Sequence, residues 1–216
     1  MKAVLLPKSS PWLSQWQKIL LAVMLLPALS LLSFSLKEKN LPIGAELPKA
    51  DVKLRDITGK EITLKTSMKE NGLLVMFSCN TCPVVVKNQG RAKEICQYSL
   101  SKNVGVVVLN SNEANRNDDE SLDAMKNYAK AQAYSWYYAV DKNSELADAF
   151  GANRTPECFL FDKNGKLVYH GAIDNNPNDE GNVSRHHLKE AVDELVNGKD
   201  VSVKETRSVG CNIKRM

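Results

Sequence analysis

A run of five apolar residues, Leu73 to Phe77, breaks directly into Ser78-Cys79-Asn80-Thr81-Cys82-Pro83, after which the pattern turns helical. A short apolar run bounded this way predicts a strand buried on both faces. Pro83 is suited to the first turn of a helix, where its missing N–H costs nothing. The chain must therefore pass from a core strand into a helix through a loop that carries two thiols. Sulfurs three residues apart can close a disulfide across one helical turn, and the unpaired N–H groups of a helix start favour a thiolate on the first. The spacing reads as a dithiol redox site, with Cys79 exposed and easily ionised and Cys82 more enclosed. A zinc site is the competing reading of C-x-x-C, but zinc takes four Cys or His ligands and no second such pair follows. His186 and His187 are adjacent, so on a helix they would face different ways.

Around this point the chain alternates. Val52-Lys53-Leu54 and Ile62-Thr63-Leu64 flank Asp56-Ile57-Thr58-Gly59-Lys60 and predict a β-hairpin. Pro83 to about Leu100 is expected to be one helix, Val104 to Leu109 a second buried strand, Glu120 to Ala133 a helix and Trp136 to Val140 a short strand. Ser144 to Phe150 reads as a helix capped by Ser144. Cys158 to Phe161 and Leu167 to His170 flank Asp162-Lys163-Asn164-Gly165 as a second hairpin, and Ser184 to Val196 reads as the last helix. The loops at 110–119 and 174–183 read as solvated connections that can rim a site. Strands joined through helices, followed by a hairpin, predict an α/β mixed sheet flanked by helices, with an N-terminal hairpin extension. In such sheets chemistry gathers at the carboxyl ends of strands, where Cys79 falls.

Eighteen uncharged, Leu-rich residues, Ile19 to Leu36, follow Lys2, Lys8 and Lys18. Residues 1–36 are thus expected to be a signal peptide or membrane anchor, 37–49 a linker, 50–198 the folded domain and 199–216 a tail carrying Cys211. The expected location is exported: periplasmic, or anchored on the outer side of the inner membrane, with the membrane touched only through the N-terminal segment if it is uncleaved. The net charge of +4 includes those three lysines, leaving 4 − 3 = +1 for residues 19–216. With no Lys/Arg cluster interleaved with aromatics, nothing argues for nucleic acid. Export would place the five cysteines where disulfides persist.

Phe77-Ser78-Cys79-Asn80-Thr81-Cys82-Pro83, Arg154-Thr155-Pro156, the Phe159 to Gly165 hairpin and Val209-Gly210-Cys211-Asn212-Ile213-Lys214 together resemble the thioredoxin-fold redoxins, the alkyl hydroperoxide reductase/thiol-specific antioxidant and TlpA-like proteins, over residues 42 to about 214. The resemblance implies a cis proline at Pro156 lying against the dithiol, with Thr155 offering backbone hydrogen bonds to an extended substrate. It implies thiol-disulfide exchange with a protein disulfide substrate and a separate thiol electron donor, and no cofactor. The chain departs from the thioredoxin pattern in two places. Ser78 stands where an aromatic residue usually precedes the first cysteine, and Leu73 where a buried Asp usually lies six residues before it. The usual proton acceptor is therefore missing or supplied elsewhere. Peroxiredoxins carry Thr or Ser three residues before the peroxidatic cysteine and Pro four residues earlier still. Counted from Cys82-Pro83, those positions are Cys79 and Val75. Dithiol exchange at Cys79 and Cys82 is the favoured reading; a thiol peroxidase, or a metal-binding module of the same fold, is the alternative.

Cys96 and Cys158 lie in apolar patterns and are expected in the core. His170 reads as a strand-end residue facing solvent or a loop. Cys211 lies in a polar tail with no periodicity to bury it. It either resolves or guards the dithiol, or it is an anchoring or incidental thiol.

Overall fold

The structure, a computed structural model, describes residues 40–216. The segment read as a signal peptide or anchor, 1–36, lies outside the described residues. Among the described residues no helix is long and apolar enough to cross a membrane.

The strands are β1 (Leu54–Asp56), β2 (Glu61–Ile62), β3 (Leu73–Ser78), β4 (Gly105–Asn110), β5 (Tyr137–Val140), β6 (Arg154–Thr155), β7 (Glu157–Phe161), β8 (Leu167–Gly171) and β9 (Cys211–Asn212). The helices are α1 (Leu64–Ser67), α2 (Pro83–Lys87), α3 (Gln89–Ser101), α4 (Leu122–Ala131), α5 (Glu145–Phe150) and α6 (His187–Val196). Seven strands form one sheet in the order β2-β1-β5-β4-β3-β7-β8, and β6 pairs with β9 apart from it. β3, β4 and β5 run parallel, while β1, β7 and β8 add antiparallel partners. This is the mixed α/β sheet that the sequence predicts. The N-terminal hairpin is an edge of it, since Arg55 and Asp56 pair with Val140 and Ala139.

Strand periodicity explains the two-sided core. Successive side chains point to opposite faces. Leu74 and Met76 of β3 join Val106 and Val108 of β4 against Ile95 and Cys96 of α3, Met125 of α4 and Leu188 and Val192 of α6. Leu73, Val75 and Phe77 join Val107 and Leu109 against Leu64, Leu146 and Phe150 on the other face. Both strands are buried along their whole length, which is why they read as unbroken apolar runs. Cys96 and Cys158 are buried within the first of these layers.

Several boundaries differ from the sequence reading, each for a local reason. Thr63 caps α1 in a reciprocal capping box with Thr66, so the second hairpin strand ends at Ile62. The expected single helix from Pro83 is two: the buried Asn88 side chain donates to the Val84 carbonyl at 2.7 Å and to the Pro177 carbonyl at 2.9 Å, competing with the backbone ladder. Ser144 does not cap α5 with its side chain and has a left-handed φ of 54°. Asp141 caps instead, accepting from the N–H groups of Leu146 and Ala147 at 2.8 and 2.9 Å. The last helix begins at His187 rather than Ser184, and α4 at Leu122 rather than Glu120.

The two ends of the described chain are part of the fold. Residues 40–49, read as linker, run beside the β7-β8 turn, with Gly44 N–H donating to Leu167 O and Leu47 N–H to Gly165 O, both at 2.8 Å. The tail also passes β8, with Thr206 N–H donating to the His170 carbonyl at 3.0 Å, and ends with Ile213 buried in the Phe150 layer. The loop at 174–183 is pinned rather than free: the buried Arg91 guanidinium pairs with buried Asp174 and donates to the Asn176 carbonyl at 2.9 Å.

Phe150 is fully buried, with edge-on contacts to Phe77, Phe159 and Phe161 at centroid distances of 5.3, 5.1 and 5.7 Å. Phe150→Ala should lower stability by about 3–5 kcal/mol, read as an earlier midpoint in urea unfolding at an unchanged slope.

Candidate functional site

β3 and β4 end together, Ser78 opposite Asn110, and the chain leaves β3 at Cys79. Cys82 is the extended N-cap of α2 and Pro83 its first residue, as the sequence implies. The peptide bond between Thr155 and Pro156 is cis. Thr155 is brought against both sulfurs: its hydroxyl lies 3.4 Å from Cys79 Sγ, and its carbonyl oxygen 3.5 Å from Cys82 Sγ.

Three expectations about the thiols are corrected. Cys79 was expected to be exposed but is 1% accessible, with Cys82 at 5%. Val84, Val85 and Cys211 pack over them. The Cys79 thiol is not poised to ionise in this state. Burial pushes its pKa up and the Glu120 carboxylate adds to this, while the Thr155 hydroxyl and the N–H groups of Cys82 and Thr81 pull the other way; the net shift is upward. Finally, the disulfide present joins Cys82 to Cys211, 129 residues apart in sequence with Cα atoms 6.1 Å apart, and Cys79 is a free thiol.

The bond to Cys211 follows from how the tail is laid down. β9 pairs antiparallel with β6, Cys211 opposite Thr155 and Asn212 opposite Arg154. The approach is close: a Cβ on Gly210 would fall 2.1 Å from the Thr155 carbonyl oxygen, so only glycine fits there. Thus the backbone of Thr155, which the family resemblance assigns to an extended substrate, is paired with the chain's own tail.

A residue not singled out from the sequence completes the site. Glu120 is fully buried. Its carboxylate accepts from the Asn80 N–H at 3.0 and 3.2 Å, from the Thr81 hydroxyl at 3.2 Å and from the Asn110 side-chain amide at 2.5 Å. Tyr138 extends the network, donating to the Asn80 side-chain oxygen at 2.8 Å and accepting from the Asn110 amide at 3.0 Å. A buried carboxylate beside the thiol loop thus exists, reached from the end of β4 rather than from within β3. The signal available in sequence was indirect: the empty acid position at Leu73, and an acidic stretch, Asp118-Asp119-Glu120, following the strand parallel to β3.

His170 is buried rather than solvent-facing. Its Nε2 lies 2.7 Å from the buried Glu157 carboxylate and its ring stacks on Phe159 at 4.3 Å. Glu157 also accepts from the N–H groups of Asn153 and Arg154 at 2.8 and 2.9 Å, which fixes the loop that presents Thr155. A surface cleft of about 440 Å³, lined by residues including Ile43, Lys166, Leu195 and Lys204, shares no residue with the sulfur cluster. The site is a covered patch rather than a pocket.

The family model for Redoxin matches residues 42–186. The thiol-disulfide oxidoreductase ResA of Bacillus thuringiensis subsp. konkukian is 30% identical over 132 residues, covering 61% of this chain and 70% of that one. Among solved structures, a hypothetical protein of Sinorhizobium meliloti 1021 aligns with a TM-score of 0.75 at 33% identity, over 82% of this chain and 97% of its own. An uncharacterised conserved protein of Geobacillus kaustophilus aligns with the same score at 31% identity, over 81% and 93%. With two thirds of its length matched by the family model, this chain belongs to the Redoxin family.

Proposed function

We propose that the chain, a thiol-disulfide oxidoreductase, reduces disulfides in partner proteins through Cys79 and Cys82, with Cys211 as a resolving third sulfur and Thr155 and Pro156 flanking the reaction. The observation that carries this reading is the convergence of three sulfurs on Thr155, two of them already bonded to each other across the site.

The sequence of bonds is as follows. Cys79, as a thiolate, attacks one sulfur of a partner disulfide, and the other partner sulfur leaves as a thiolate. Cys82 then attacks Cys79 Sγ, the remaining partner sulfur leaves, and the partner has gained two electrons. Cys211 next attacks Cys82 Sγ and Cys79 leaves, which yields the bond present in the structure. This last exchange moves the disulfide without changing the oxidation level. A separate thiol donor restores the three thiols. Export to the far side of the inner membrane is supported by the uncharged run Ile19 to Leu36 behind three lysines. A protein partner also suits the surface: Val86 and Val209, 50% and 40% exposed, are rare exposed large apolar residues among those described. Each lies within four residues of a site sulfur.

Glu120 acts here as a positioning residue: it holds the Asn80 N–H and the Thr81 hydroxyl, and its charge opposes ionisation of Cys79.

Three outcomes are expected. With insulin as a model disulfide substrate, the Cys82→Ser/Cys211→Ser protein should accumulate a mixed disulfide on non-reducing gels and Cys79→Ser should not; equal trapping by both would reverse the roles. Glu120→Gln keeps an acceptor but removes the charge that raises the Cys79 pKa, so the pH profile of Cys79 alkylation should move to lower pH, with faster labelling at a fixed pH below the midpoint. Expressed as the full chain in a bacterium, the protein should fractionate with the periplasm or with the inner membrane, and recovery in the cytoplasm alone would remove export from the reading.

A further inference from the structure

The oxidised state offers a reductant three sulfurs that are not equivalent. Cys79 is a thiol, hence no electrophile, and is 1% accessible. Cys82 is bonded but 5% accessible, and the Thr155 carbonyl oxygen lies 3.5 Å from its sulfur. An incoming thiolate would meet both steric closure and the partial negative charge of that carbonyl. Of the three cysteines, Cys211 is the part-exposed one.

The strap is held on both sides of Cys211 by contacts that do not involve sulfur. Upstream, Thr206 N–H donates to the His170 carbonyl at 3.0 Å, and the Thr206 hydroxyl is hydrogen-bonded to Tyr169 at 2.7 Å. Downstream, Ile213 is buried with its N–H on the Asn153 carbonyl at 3.0 Å, Lys214 N–H donates to the Asn112 side chain at 2.9 Å, and Arg215 pairs with Asp148 at 2.7 Å. Cleaving the disulfide therefore does not by itself release the strap. Cys211 stays beside Cys82 at high effective concentration, and the Thr155 edge stays paired with β9.

We propose that Cys211 is the sulfur on which a reducing dithiol protein attacks, so that electrons enter the protein through the strap and leave it through Cys79. This rests on the preceding reading only for the exit step. The donor's thiolate forms a bond to Cys211 Sγ, the Cys82–Cys211 bond breaks, and Cys82 leaves as a thiolate that takes up a proton. The donor's second thiolate then attacks the donor sulfur of this mixed disulfide and Cys211 leaves as a thiolate. The donor is oxidised by two electrons and the Cys82/Cys211 pair is reduced by two. Reductant and disulfide substrate thus use different sulfurs of one cluster. Reaching Cys82 or Cys79 needs the strap peeled from Thr155, at the cost of the Ile213 and Arg215 contacts; the disulfide substrate must displace it so in the exit step, whereas a donor that enters at Cys211 need not.

The test uses the oxidised full chain. A brief exposure to glutathione, an acid quench, alkylation with N-ethylmaleimide and peptide mass mapping locate the adduct. Glutathione on Cys211, with Cys79 and Cys82 alkylated, is expected. Glutathione on Cys82 or Cys79, or no adduct on any of the three, overturns the assignment. As a second measurement, Cys211→Ser oxidised to its Cys79–Cys82 form should be reduced by thioredoxin, kept reduced by its reductase and NADPH, at least tenfold more slowly than the oxidised wild type; an equal rate also overturns it. The adduct position does not depend on Cys79, so a Cys79→Ser protein that still reduces insulin would refute the exit step while leaving this result intact.

Discussion

Burial of the Glu120 carboxylate is the constraint around which the site is arranged. A charge taken out of water is tolerated only when its oxygens are fully hydrogen-bonded, and here the donors come from two places: Asn80 and Thr81 of the thiol loop, and Asn110 at the end of β4. Satisfying Glu120 therefore fixes the Asn80 peptide, and with it the directions in which Cys79 and Cys82 leave the strand. Arg116 closes the other side, donating to the Glu120 and Asn110 carbonyls at 2.6 and 2.7 Å. The loop at 110–119, which reads as a solvated connection, is in fact the frame of the thiol loop.

The opposite wall is built on the same logic. Glu157 satisfies two backbone N–H groups and His170 at once, so the Thr155 loop is held from behind as the thiol loop is held from below. Between these two braced loops lies a small apolar cluster, Cys79, Cys82 and Val85 with Val84 and Cys211. Desolvation there pushes the Cys79 pKa up, which opposes formation of the nucleophilic thiolate.

The sheet was largely legible in the sequence because β3, β4 and β7 are buried on both faces, and an unbroken apolar run has few other uses. The strand-loop-helix passage at Cys79-x-x-Cys82-Pro83 was legible as a local pattern, whereas the Thr155-Pro156 loop was legible only through the family resemblance. What escaped depends on partners distant in sequence. Asn88 breaks a helix by reaching Pro177, Asp141 displaces Ser144 as a cap, and Glu120 is defined by Asn80, forty residues earlier. The exposure of Cys79 was misjudged because the covering strap arrives from the far end of the chain, and its close passage is announced only by Gly210. No periodicity encodes a two-residue strand such as β9.

Cys96 and Cys158 are sealed in the large core, and burial pushes both thiols far up. The five cysteines therefore behave as a closed trio plus two bystanders. A trio can hold one bond, never more, and a partner-free thiol is always left within the same cluster. Full oxidation is thus unreachable by pairing alone: the molecule carries a permanent odd sulfur, and its disulfide is better pictured as a movable link between neighbouring stations than as a fixed staple.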